Sequence, residues 1–146
     1  LGWFSEEDHQ IAWSAICEVG LQKQVHQRAD TLSGGEQQRA AVARVVAQQP
    51  SIILADEPVS SLDPAWAQDV LNLITAVQAH HDVTLVMSLH QPHWARRFAK
   101  RLIGLRDGRL VFDGRPGALT DSHLEELYRG DDTLHIEHSS DAGRSN

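Results

Sequence analysis

An α/β layered fold is predicted by three features of the middle of the chain. Ile52–Ala55 is a continuous apolar run and Val83–Leu89 a second, mostly apolar one, the pattern of strands in a buried parallel sheet. Between them Trp66, Val70, Leu73, Ile74 and Val77 recur at helical spacing. Strand and helix therefore alternate, and each change of period coincides with a stop or start signal.

The flanking elements follow from the same kind of reading. Ser5-Glu6-Glu7-Asp8 starts a first helix, with Ser5 as cap and acidic groups at the positive end of the dipole. Ile11, Ala15, Ile16 and Val19 form its apolar stripe, and Gly20 ends it. Gln22–Asp30 is polar and reads as a short helix mixed with loop. Ser33 and Glu36 have the spacing of a capping box for a second helix. Ala40, Val42, Ala43, Val46 and Ala47 carry that helix toward Gln49, before Pro50 stops it. Asp63-Pro64 supplies an N-cap and a first-turn proline for the helix through about His80. Pro92–Lys100 reads as helical, and Asp107-Gly108 between Leu102–Leu105 and Leu110–Phe112 signals a hairpin. Thr120–Tyr128 is a last short helix, and the polar stretch Asp131–Asn146 is expected to be disordered.

Composition narrows the classes of function. The 146 residues suit one modest domain, and a net charge of −7 argues against a nucleic-acid footprint. The apolar runs are too short to span a bilayer, and no charged leader followed by an apolar stretch opens the sequence. A single cysteine, Cys17, excludes an internal disulfide and fits a reducing compartment. Leu1 in place of Met, with a helix signal almost at once, gives the expectation that the chain starts inside a longer one.

Chemistry-bearing residues occur in a fixed order. Leu32-Ser33-Gly34-Gly35-Glu36-Gln37-Gln38-Arg39 opens the second helix, where glycines let backbone N–H groups approach an anion. Asp56-Glu57-Pro58 follows the first apolar run; on an extended backbone adjacent carboxylates point to opposite sides, one toward a metal and one toward water. Ser60-Ser61-Leu62-Asp63 comes next, and His90 stands where the second run ends. Each alone has a plain structural reading: a capped helix, an acidic loop, a helix cap, a satisfied strand-end histidine.

Together these four stretches resemble the signature, Walker B, D-loop and H-loop of the ABC ATPase family, in the family's order. The resemblance covers the chain to about Gly130 and implies a P-loop NTPase-like core with ATP and Mg²⁺ as cofactors. It implies a partial ABC ATPase domain over residues 1–130, divided into a helical-subdomain remnant over about 1–48 and a catalytic-core remnant over about 49–130. By resemblance Ser33, Gly34, Gly35 and Glu36 contact the nucleotide, as does Asp63 across a subunit boundary. Asp56 holds Mg²⁺ through water, Glu57 orients or deprotonates the attacking water, and His90 senses the γ-phosphate. Glu36 stands where the commonest signature has Gln, a variation found in several branches.

None of the ten glycines is followed by Lys and then Ser or Thr, so the sequence holds no Walker A motif. The family's Gln-containing loop is also missing. Both lie upstream in the family, in keeping with a C-terminal part, and the chain by itself is expected to be inactive. Flanking stretches, among them Gln27-Arg28-Ala29-Asp30, Ser88-Leu89-His90-Gln91 and Val111-Phe112-Asp113-Gly114, look like the ATPase subunits of bacterial phosphonate importers. That resemblance implies a second ATPase subunit in a dimer, membrane permease subunits and, indirectly, a periplasmic solute-binding protein. It places the subunit peripherally on the cytoplasmic face of the inner membrane. Two alternatives stand beside it: a non-transport ABC ATPase, and a regulatory half-module without its own phosphate loop. Histidine pairs His90/His93 and His135/His138 read as surface residues, Trp3, Trp13, Trp66 and Trp94 as packing, and Gln48–Gln49 and Arg96–Arg97 as solvated helix faces.

Overall fold

The computed structural model describes residues 4–129, which form two compact units divided after Trp94. The tail Asp131–Asn146 expected to be disordered, Trp3 and the His135/His138 pair lie outside the described residues.

In the first unit, α1 (Glu6–Glu18) starts at a capping box in which the Ser5 hydroxyl accepts from the Asp8 N–H and Asp8 accepts from the Ser5 N–H. Gly20, at φ +74°, adopts the left-handed conformation that lets the chain turn away from the helix. Two single turns of 3₁₀ helix, Gln22–Gln24 and Ala29–Thr31, replace the expected helix and loop. They lead into α2 (Gly34–Ala47), which ends before Gln49 and Pro50 as its proline demands. Strand β1 (Ile52–Ala55), helix α3 (Pro64–His81) and strand β2 (Thr84–Met87) follow, with β1 and β2 parallel in register Ile52↔Thr84 through Ala55↔Met87. Ala15, Val19, Leu21, Ala43, Val46, Ile53, Val77 and Val83 form a core between the three helices and one face of this sheet.

The other face is open. Ile52 is 57% exposed, Leu54 78% and Val86 54%, so the expectation of strands buried on both sides is corrected to strands buried on one. These side chains stay largely exposed, although the run is as apolar on this face as on the packed one. On α3 the buried face is Ala67, Val70, Leu71, Ile74 and Val77. Leu73 is only half-buried and Trp66 is 45% exposed, because the packed face is centred one position away from the predicted one. Trp13, half a helical turn from Ile11 and Ala15, is exposed, and only Trp94 of the described tryptophans is buried.

Helix α4 (Pro92–Phe98) is shorter than expected and spans the boundary between the units. In the second unit, β3 (Leu102–Arg106) and β4 (Arg109–Gly114) pair antiparallel through the predicted turn. Asp107 and Gly108, at φ +50° and +72°, give the left-handed pair that a two-residue hairpin turn requires. Helix α5 (Asp121–Tyr128), capped by Thr120, packs on this hairpin, where Leu127 lies against Gly104. Arg96 is not a freely solvated side chain, since its guanidinium donates to the Leu119 carbonyl at 2.8 Å.

Candidate active site

Parallel pairing decides where the carboxylates emerge. Because Ala55 and Met87 are partners at the last ladder position, Asp56 and Ser88 leave the sheet side by side, and the Ser88 N–H donates to the Ala55 carbonyl at 3.0 Å. The Ser88 hydroxyl donates to Asp56 Oδ1 at 2.6 Å and accepts from the Glu57 N–H at 2.8 Å. One serine thereby fixes both members of the acidic pair, by side chain for Asp56 and by backbone for Glu57.

The backbone at Glu57 is not extended. Its φ of +45° lies in the left-handed region, costing an L-residue about 1–2 kcal/mol, so the alternation argument for opposite-pointing carboxylates does not apply. A tight turn begins at Glu57 instead, its carbonyl accepting from the Ser60 N–H and hydroxyl, each at 3.2 Å. Glu57 Oε1 meets His90 Nε2 at 2.6 Å, with the two side chains 43% and 72% exposed. Asp56, Glu57 and His90 thus stand together at the C-terminal ends of β1 and β2, where open parallel sheets place their ligand sites.

The second group sits at the N-terminus of α2. Ser33 caps the helix, and Glu36 accepts from the Ser33 N–H at 2.9 Å, the Ser33 hydroxyl at 2.8 Å and Gln24 Nε2 at 2.9 Å. The Ser33 N–H, then its hydroxyl, hold the Glu36 carboxyl below its ordinary value of 4.5. Glu36 is therefore committed to the cap, while Gly34 is exposed at the helix start and Gly35 is buried. Gly35 lies under the Trp66 indole: a Cβ there would come within 2.8 Å of Trp66 Cε3. Gly34 approaches Leu62, whose Cδ2 would be 3.8 Å from an added Cβ. Asp63 caps α3 through Ala65 N–H at 3.1 Å and Trp66 N–H at 3.2 Å. Residues 62–66 thus pack beside the start of α2, and Asp63 has the capping role read from sequence.

Sequence reasoning missed Ser88 as a functional residue. Its signal was present, because the strand register sets it beside Asp56, but that register is visible only once the strands pair.

A family model described as ABC transporter matches residues 4–60. The phosphite import ATP-binding protein PxtA of Stutzerimonas stutzeri is 51% identical over 126 residues, covering 86% of this chain and 46% of that protein. The phosphonates import ATP-binding protein PhnC 2 of Halalkalibacterium halodurans is 46% identical over 129 residues, covering 88% of this chain and 53% of that protein. The chain therefore spans about half the length of the curated relatives it matches. Among solved structures, an ABC transporter in an inward-facing conformation superposes with a TM-score of 0.79 at 30% identity, covering 86% of this chain and 51% of that one. An ATP-binding cassette in its ADP conformation superposes at the same TM-score with 23% identity, covering 90% of this chain and 54% of that one, and shows the fold alone.

Proposed function

Because the chain belongs to the ABC transporter ATP-binding family, we propose that it forms the signature and hydrolysis half of an ATPase subunit energising solute import. The observation that carries this reading is the convergence of Asp56, Glu57, Ser88 and His90 at the ends of two parallel strands. The relatives' printed names supply the solute class, phosphite or phosphonate, a small phosphorus oxyanion. The ATPase pairs in a dimer and works against membrane permease subunits at the cytoplasmic face, fed indirectly by a periplasmic solute-binding protein. Among the described residues no helix is long and apolar enough to cross a membrane.

Mg²⁺ suits the donor set: a hard cation takes oxygen ligands, and Asp56 offers an exposed carboxylate already oriented by a hydroxyl. Asp56 would hold the ion through water, and the ion would supply positive charge to the triphosphate. Glu57 accepts the proton of the attacking water, and its left-handed backbone, pinned by Ser88, sets the direction of the carboxylate. His90 now faces Glu57; transferring its hydrogen bond to the γ-phosphate would free Glu57 to receive that proton. The start of α2, through the Gly34 and Gly35 N–H groups beside the Ser33 cap, presents donors to the nucleotide held by the opposite subunit. Ser33 would join them by releasing its hydroxyl from Glu36. No Gly-Lys-Ser/Thr stands in the sequence, so this reading takes the phosphate loop from the part of the relatives' length that the chain does not span.

In the complete ATPase, Glu57→Gln is expected to lower turnover by about 10²–10⁴-fold, the usual cost of losing a general base, with nucleotide affinity retained. Single-turnover hydrolysis alongside fluorescent-nucleotide binding reads both. Wild-type turnover in this variant would overturn the reading.

A further inference from the structure

We propose that Glu18, His80 and His81 form a binding site for a borderline divalent metal of the Zn²⁺ class, separate from the Mg²⁺ chemistry at Asp56. Among the described residues, this is the one place where three metal-ligating side chains converge, with one ligand atom from each all within 4.8 Å of one another. Glu18 Oε1 lies 3.1 Å from His81 Nε2 and 3.3 Å from His80 Nδ1, and Glu18 Oε2 lies 3.0 Å from His81 Nε2. With Zn–N and Zn–O bonds of about 2.0–2.2 Å, neighbouring ligand atoms in a tetrahedral site stand roughly 3.3–3.5 Å apart. The two carboxylate–imidazole separations therefore need to open by only a few tenths of an ångström to admit the ion, and the two ring nitrogens lie within 4.8 Å of each other.

The fold brings these groups together without using sequence proximity. Glu18 is the last residue of α1, and His80 and His81 are the last two of α3, 62 and 63 residues downstream. The two rings stack with centroids 4.7 Å apart and planes inclined by 27°, so neighbouring residues on one helix present nitrogens to the same carboxylate. Two imidazoles and one carboxylate are the donor set of three-ligand zinc sites that leave one position open. A groove of about 260 Å³, lined by Gln10, Ser14, Glu18, Gln49 and His81 among others, runs beside the cluster and gives water access to that position. A plain ion pair would use the same contacts through ring N–H donors. Metal binding replaces those ring protons, and the ion then ties the end of α1 to the end of α3.

Zn²⁺ alone is the probe, titrated into the 146-residue chain by calorimetry and followed by the thermal midpoint. One Zn²⁺ per chain is expected, with a rise in midpoint, because an ion that binds the folded state stabilises it by mass action. His80→Asn/His81→Asn should weaken binding by more than the about 10–100-fold typical of losing an outer ligand partner, and His135→Gln/His138→Gln should leave it unchanged. Should the first double variant fail to fold, Glu18→Gln answers the same question, with Co²⁺ absorption as readout: tetrahedral ligand-field bands in the wild type, absent in the variant. Absence of saturable Zn²⁺ binding, or binding unchanged in His80→Asn/His81→Asn or in Glu18→Gln, would overturn the proposal and leave the cluster as an ion pair.

Discussion

Ser88 shows how much of the site rests on a residue with no catalytic chemistry of its own. Its hydroxyl satisfies the Glu57 N–H and orients Asp56, so Ser88→Ala removes two hydrogen bonds and loosens a left-handed backbone. In the complete ATPase we expect about 1 kcal/mol of lost stability, the usual net value of such bonds near a surface, measurable by denaturant titration. The Mg²⁺ concentration needed for half-maximal turnover should also rise; an unchanged requirement would mean that Asp56 is oriented without Ser88. Glu36 carries a pH prediction. Its carboxyl is held below 4.5 by the Ser33 N–H and hydroxyl, so the folded chain binds that proton less readily than the unfolded one. The sign follows from linkage: the contribution is complete above about 4.5 and is lost as pH falls through the lowered folded value. Asp8, Asp30 and Asp113 are lowered too and act in the same direction, so the test is a difference. Glu36→Gln keeps the shape of the capping box but does not titrate. Its thermal midpoint should therefore fall less steeply with acid than that of the parent chain, and parallel curves would remove the cap from the account.

At the scale of elements, the positions that sequence rules located well are those governed by local chemistry. Ser5, Ser33, Asp63 and Thr120 all cap the helices they were expected to cap or begin, and Asp107-Gly108 turns the hairpin. Capping and turn preferences depend on neighbours within about four residues, so they survive without tertiary information. The facing of α3 was less legible, because Trp66 looked like core by hydrophobicity while its actual role is to cover a glycine on another helix. The Asp56–Ser88 and Glu57–His90 contacts were equally hidden, since each joins residues more than thirty apart through strand register. The Gly35–Trp66 contact yields a prediction that separates propensity from packing. Alanine favours helix over glycine by about 1 kcal/mol, yet at position 35 its methyl would enter the space of the indole. Gly35→Ala should therefore destabilise the first unit by about 1–3 kcal/mol, the typical cost of overpacking. In a Trp66→Ala background the same change should turn neutral or stabilising. Urea midpoints of the four proteins in that cycle give the coupling directly, and additive effects would show that the indole moves aside freely.

For the whole molecule, the sheet is the informative element because its two faces have different fates. Ile53 and Leu85 pack on the helical core, whereas Ile52, Leu54 and Val86 point the other way and stay exposed. Parallel sheets are normally covered on both faces, and a run as uniformly apolar as Ile52–Ala55 has the composition of a strand meant for two layers. The relatives are about twice as long as this chain, and we propose that the remaining part of the ATPase supplies the second layer. That reading gives one substitution opposite consequences in two settings. Within the 146 residues, Leu54→Glu places a charge on a side chain already 78% exposed, so it should leave the folded unit nearly unchanged in stability. It should also reduce binding of a hydrophobic dye and any self-association, since it interrupts the open apolar face. In the complete protein the same glutamate would be buried against apolar neighbours, a change that costs several kcal/mol unless the charge is paired or neutralised. Thermal unfolding and size-exclusion profiles of both proteins, with and without the substitution, measure the contrast. Equal tolerance in both would mean that the face remains in solvent in the assembled ATPase and that its apolar character has another cause.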